Sequence, residues 1–275
     1  MTPLTTKTYD DLVTTTLLCL HGWGGSKESF TELREALKGT DITILTPDLP
    51  GFGNEPEPKK PWTTDDYANW VVQWFVTNRP PLPNPLPRGE GKIRFFLLGH
   101  SHGGRIALKI ANRKSDFGSG LRRDESQIAN PDHLFLCASA GLRHPRHFKR
   151  ILGLTLAKLG KTLLKIPGLT SLELLGKKFL YRLVRVHDYE QASTVMRQTL
   201  INVTKEDLRP LLSKITVPTD IFWGEDDGMT PVGDAHVMHR EIAGSQLHLY
   251  PGVRHRVHRE RAREIGEVIL HASQL

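Results

Sequence analysis

Gly99-His100-Ser101-His102-Gly103 stands between Ile93-Arg94-Phe95-Phe96-Leu97-Leu98 and Gly104-Arg105-Ile106-Ala107-Leu108-Lys109-Ile110-Ala111. The first flank is a short apolar run of strand type, and the second has helical periodicity. A Gly-x-Ser-x-Gly pentapeptide at such a junction predicts a tight strand-to-helix turn, because glycine lacks the Cβ that would clash where the chain reverses. The turn holds one serine hydroxyl out at the carboxyl end of a sheet. Beside it lies a helix N-terminus whose free N–H groups stabilise negative charge. Alone, the pentapeptide also fits an ordinary turn. Its flanks decide for an activated Ser101.

Outward from this turn, β-rich runs at 15–20, 42–46, 94–98, 133–138, 219–223 and 246–250 alternate with helical stretches. The clearest helical stretches are 28–37, 64–76, 104–112 and 233–242. Strand–helix alternation with continuously apolar strands predicts an α/β fold, a mostly parallel sheet with helices on both faces. The alternation breaks over 141–212, where leucines recur at helical spacing around the breaker Pro167-Gly168. That segment is expected to be a helical cap inserted into a core made of 1–140 and 213–275. The leucines at 152, 154, 156, 159, 163 and 164 either line an acyl pocket or pack the cap onto itself. The stretch 80–91 holds five prolines and reads as a surface loop, as does the polar stretch 115–131.

The 275 residues, 38% of them apolar, suit one large domain with a lid. Met1 to Asp11 is polar, without a basic stretch leading into an apolar one, and no apolar run approaches the roughly 18 residues of a membrane span. Cys19 and Cys137 lie in strand-like runs and read as small buried thiols, so a cytoplasmic location is expected. The net charge of +7 is concentrated: residues 141–190 carry eleven Lys or Arg against three acids, a net +8 that leaves the remainder at −1. This segment either draws anionic substrates or an anionic membrane surface, or is a solvated face. Nucleic-acid binding is not expected, because Phe148, Phe179, Tyr181 and Tyr189 form no stacking platform.

Three further motifs follow strands. His21-Gly22-Trp23-Gly24-Gly25 comes after the first and can turn the Trp23 N–H towards Ser101. With the N–H of His102, the residue after the serine, it makes a candidate oxyanion hole. Asp48-Leu49-Pro50-Gly51-Phe52-Gly53 follows the second strand and lines the same edge. Near the end, Trp223-Gly224-Glu225-Asp226-Asp227-Gly228-Met229-Thr230-Pro231 supplies carboxylates and Pro251-Gly252-Val253-Arg254-His255 an imidazole. Serine is a poor nucleophile until a base takes its proton, and imidazole does so near neutral pH. A buried carboxylate fixes the imidazole tautomer and steadies its transient charge.

This arrangement resembles the α/β-hydrolase superfamily, in its capped serine-hydrolase branch, over nearly the whole chain. The family order is serine, then acid, then histidine. The resemblance implies Ser101, Asp227 and His255 as catalytic residues. The family's Gly-x-x-Asp-x-x-x-Pro pattern, met by Gly224 and Pro231, selects Asp227 over Asp226 and Glu225. Gly252 three residues before and Glu260 five residues after select His255 over His258. The implied activity is hydrolysis of carboxylic esters, thioesters or lactones through an acyl-enzyme, on a small acyl substrate and without cofactor or metal. Carbon–carbon cleavage of diketone-type acids and a non-catalytic receptor on the same fold are the alternatives. The chain departs from the family in its short lead-in to the first strand, its proline-rich loop and His102 after the serine. His236 and His239, one helical turn apart, lack the His-Glu-x-x-His context of a metal site. Gly160-Lys161-Thr162 lacks the earlier glycine of a phosphate loop, and Lys27 stands where a dinucleotide fold needs its third glycine.

Overall fold

Leu17, Leu18, Cys19 and Leu20 are all completely buried. Successive strand residues point to opposite faces, so such a run requires a sheet covered on both sides. In the computed structural model, which describes residues 14–79, 93–113, 131–143 and 192–275, this run belongs to β1 (Thr14–Leu20). The other strands are β2 (Ile42–Leu45), β3 (Ile93–His100), β4 (His133–Cys137), β5 (Thr219–Gly224) and β6 (Gln246–Tyr250). They form a six-stranded sheet in the order β2-β1-β3-β4-β5-β6. Every pairing is parallel. The inner strands are apolar on both faces, whereas β2 and β6, at the edges, are at most half-buried.

The helices are α1 (Thr31–Ala36), α2 (Thr64–Asn78), α3 (His102–Ala111), α4 (Thr194–Lys205), α5 (Arg209–Leu212), α6 (Val232–Glu241), α7 (Val257–Glu260) and α8 (Ala262–Gln274). The expected helix over 28–37 divides into a 3-10 turn, Lys27–Phe30, capped by Ser26, and then α1. Helix α2 starts at a reciprocal cap, in which the Thr63 N–H donates to Asp66 at 2.7 Å and the Asp66 N–H to Thr63 at 3.3 Å. Its buried Tyr67, Ala68, Val71, Val72 and Phe75 fall on one helical face. Helix α2 packs against α3, and α1 against α7 and α8.

The strand order is what positions the site. The chain runs from β1 outward to β2 and then returns to the other side of β1 as β3, so the loops after β1 and β3 open beside each other. Leu20 pairs with Gly99 at this edge. A crevice at the carboxyl end of the strands, where the order reverses, is the usual ligand site of open α/β sheets. Helix α3 presses hard into it. A methyl group at Gly103 would overlap the Leu20 carbonyl, and one at Gly104 would lie 2.7 Å from Ser139 Cβ.

Gly141 and Leu208 lie side by side at the two borders of the undescribed stretch and its flank, the Leu208 N–H donating to the Gly141 carbonyl at 2.8 Å. Arg105, buried on α3, donates to the Glu206 carbonyl at 2.8 Å, and Lys109 pairs with Asp65 and Glu206. Helix α4 lies against the loop after β2: the Trp62 N–H donates to Thr199 at 3.0 Å, and Met196 abuts Gly51. The core of the expected cap, 144–191, lies outside the described residues. So do the proline-rich stretch 80–91 and residues 115–130.

At the opposite end of the strands one carboxylate holds two imidazoles. Asp220 accepts from His133 Nε2 at 2.7 Å and from His248 Nε2 at 2.6 Å, one bond to each oxygen. The two rings stack on Phe135 and Phe222, with centroid separations of 4.5 Å and 4.6 Å. Burial alone would raise the Asp220 carboxyl, but the two imidazoles outweigh it and hold it below the ordinary aspartate range. The unfolded chain therefore takes up this proton at a higher pH than the folded one. The stabilisation is complete above the ordinary aspartate pKa and is lost as pH falls through the depressed value. Asp220→Asn is expected to cost about 1–3 kcal/mol at neutral pH, because an amide cannot accept at both atoms. Urea melts from pH 7 to pH 3 should show the gap from wild type closing below pH 3.8, the ordinary value. A pH-independent gap would assign the loss to packing.

Candidate active site

Ser101 sits at φ 52 and ψ −111, a conformation that side chains rarely adopt. The bonds around it over-determine the turn. Its N–H donates to the Cys137 carbonyl at 3.1 Å, and its own carbonyl accepts from Ala140 at 2.9 Å and Arg105 at 3.2 Å. Gly99 is required because a methyl there would lie 2.5 Å from the Gly103 carbonyl oxygen and from Gly104 Cα. Ser101 is thus the last residue before α3, and His102 is the first residue of the helix. At that position an N–H has no carbonyl within the helix to accept it.

The loop after β1 closes against this turn. A methyl at Gly22 would lie 3.2 Å from Ser101 Cβ and 2.9 Å from His100 Nδ1. His21, fully buried, fixes the loop from beneath. Its Nδ1 is 2.8 Å from the Gly22 carbonyl, so Nδ1 carries the proton, while Nε2 accepts from the Leu49 N–H at 2.9 Å. Burial lowers its pKa and keeps the ring neutral in this role. Trp23, half-buried, packs edge-on against Phe52 and His102. The Asp48 loop is tied to the same region by the Lys27 N–H, which donates to Asp48 at 2.6 Å.

His102 departs from the family pattern without adding a charge beside the serine. Its ring lies between Trp23 and Tyr67, with centroids at 5.4 Å and 4.9 Å. Burial, with help from Arg105 and His21, pushes its pKa down to about 3.

The acid and the imidazole meet across the ends of β5 and β6. His255 Nδ1 lies 2.7 Å from Asp227 Oδ2. A carboxylate only accepts, so Nδ1 bears the proton and Nε2 is left as the basic nitrogen. Asp227 is buried, whereas Glu225 and Asp226 are exposed. Burial alone would raise the Asp227 carboxyl. The bonds from His255, from the Thr230 hydroxyl at 2.7 Å and from the Met229 N–H at 2.7 Å outweigh it and hold the group ionised. Trp223 braces this turn by donating to the Thr230 carbonyl at 3.0 Å. Gly224 lets the two loops touch, since a methyl there would overlap the Val253 carbonyl. His258, the other candidate imidazole, is buried against Phe30 and His100, and burial with His255 and two arginines pushes it down to about 3.

Two residues that join the site carry no signal in the sequence. Thr230 lies within the acid motif, and nothing in its spacing marks the hydroxyl as a donor to Asp227. His100 flanks the serine in the pentapeptide, and its Nε2 lies 2.9 Å from the His255 carbonyl. Among the described residues, no group of three His, Cys, Asp or Glu side chains is arranged to hold a metal ion.

Comparison with known proteins gives this geometry its relatives. YugF, an uncharacterized hydrolase of Bacillus subtilis, is 27% identical over 268 residues, 92% of this chain and 88% of its own. A pimeloyl-[acyl-carrier protein] methyl ester esterase of Neisseria meningitidis is 26% identical over 240 residues, covering 83% of this chain and 81% of the relative. Among solved structures, an esterase from Exiguobacterium antarcticum superposes with a TM-score of 0.62 at 22% identity, covering 96% of this chain and 93% of that one. Residues 17–268, from β1 into α8, match the alpha/beta hydrolase family as a whole. With the strand order, the turn at Ser101 and this match in agreement, the chain belongs to the alpha/beta hydrolase family.

Proposed function

We propose that this protein is a serine hydrolase of carboxylic esters. The observation that carries the proposal is the 2.7 Å contact between His255 Nδ1 and buried Asp227, at the sheet edge where Ser101 holds its strained turn. Ser101 Oγ attacks the substrate carbonyl carbon while His255 Nε2 takes the hydroxyl proton. The charge that develops on the carbonyl oxygen is met by the N–H groups of Trp23 and His102. Asp227 stabilises the imidazolium, which returns its proton to the departing alcohol. Water, activated by the same imidazole, then releases the acid and restores Ser101.

The esterase named among the relatives supports ester over other carbonyl substrates. Residues 141–212 form the cap in this reading, supported by the joined stems at Gly141 and Leu208. The basic side chains of 141–190 then favour anionic substrates by steering their approach. A reducing cytoplasm suits Cys19 and Cys137, free thiols whose burial keeps them protonated. Among the described residues no helix is long and apolar enough to cross a membrane.

A fluorophosphonate probe tests the proposal directly, because an activated serine displaces its fluoride and is phosphonylated. Stoichiometric labelling that maps to Ser101 is expected, alongside turnover of short p-nitrophenyl esters. Folded protein that takes no label would leave a receptor on the same fold. Labelled protein that ignores esters and lactones but cleaves a diketone acid would move the chemistry to carbon–carbon hydrolysis.

A further inference from the structure

We infer that His100 is a positioning residue for His255, gripping its backbone carbonyl so that the imidazole stands at a fixed distance from Ser101. The inference rests on the hydrolase reading above. His100 Nε2 is 2.9 Å from the His255 carbonyl oxygen, across 155 positions of sequence. A carbonyl only accepts, so Nε2 carries the proton and donates it.

The ring has little freedom to turn away from this bond. His258 lies against it with centroids 3.7 Å apart and planes inclined by 32°. His258 is held in turn by the edge of Phe30 at 5.5 Å. On the Nδ1 side stands Gly22, where even a methyl group would lie 2.9 Å from that nitrogen. Burial, with His258 and His255 nearby, holds the His100 pKa well below the usual histidine value, so the donor does not titrate during turnover.

The consequence is geometric. The contact with Asp227, and the Asp226 N–H that donates to the Val253 carbonyl at 3.0 Å, tie the His255 loop to the acid loop, but neither ties it to the nucleophile turn. His100 holds that loop by its backbone, and Ser101 is the very next residue. Nucleophile and base are therefore referred to a single rigid point. A displacement near 1 Å between such groups costs about 100-fold in rate, so a tether of this kind acts on turnover rather than on substrate binding.

The test compares His100→Phe, which fills the space without an N–H, with His100→Gln, whose Nε2–H can reach the same carbonyl. Each variant of the full chain is melted, titrated for active sites and assayed with p-nitrophenyl butyrate and a fluorophosphonate. His100→Phe is expected to lose about 10- to 100-fold in kcat with KM changed less than about twofold, and to label proportionally more slowly. His100→Gln should recover to within about fivefold of wild type. If His100→Phe does not fold, His100→Leu serves for the same comparison. Wild-type kcat in a folded His100→Phe, or a folded His100→Gln no better than His100→Phe, overturns the inference and assigns the ring to packing. A wild-type chain that neither labels nor turns over ester sinks the hydrolase reading instead, so the two failures are told apart.

Discussion

Ser101→Ala is expected to lower ester kcat by about 10⁴- to 10⁶-fold while the protein remains folded. The size of the loss follows from what the hydroxyl does. On the proposed mechanism no acyl-enzyme forms without it, and His255 and the Trp23 and His102 N–H groups are left to act on direct attack by water. Folding should survive because the turn is held by backbone bonds to Cys137, Ala140 and Arg105, none of which uses the side chain. Ser101→Gly makes a sharper version of the same experiment. At φ 52 and ψ −111 any side chain is strained, and glycine is not. That strain is about 1–3 kcal/mol, so the glycine variant should melt above the alanine variant and be equally inactive. Steady-state assay with p-nitrophenyl esters and thermal denaturation by circular dichroism read both effects. Near-wild-type turnover in a folded Ser101→Ala protein would remove this residue from the mechanism.

Asp227→Asn is expected to reduce kcat by about 10³- to 10⁴-fold, with KM little changed. The carboxylate accepts at once from His255, the Thr230 hydroxyl and the Met229 N–H. An amide has one accepting atom and one donating group. If its oxygen keeps the Met229 and Thr230 N–H groups, its NH₂ faces His255 and favours the imidazole with its proton on Nε2. The nitrogen that should receive the serine proton is then already occupied. Asp226→Asn, one residue earlier and exposed, should leave kcat within about twofold of wild type. If the two variants exchange these outcomes, the acid has been assigned to the wrong residue. If both are silent, His255 works without a carboxylate partner.

The local elements were legible in the sequence because their causes are local. Alternation, apolar runs and turn residues placed all six strands to within two residues at either end, and β6 at its observed bounds, Gln246–Tyr250. The nucleophile turn was legible for the same reason: Gly99, Gly103 and Gly104 mark places where no Cβ fits. Boundaries slipped where neighbours compete. Helix α3 begins at His102 rather than at residue 104 because the reversal is complete within Ser101 itself. The candidate acid and imidazole could be chosen only through the family's spacing, since Glu225, Asp226 and Asp227 carry the same chemistry. Tertiary structure distinguished them, by burying Asp227 and leaving its two neighbours in water. It also recruited Thr230 and brought His100 to the His255 carbonyl, contacts spanning 3 and 155 positions that no periodicity encodes. The sequence by itself thus determined which segments become strands and helices and which residues could react. The pairing of β1 with β3 decided that the Gly22 loop and Ser101 face each other, because the free energy of that choice lies in long-range burial and strand pairing.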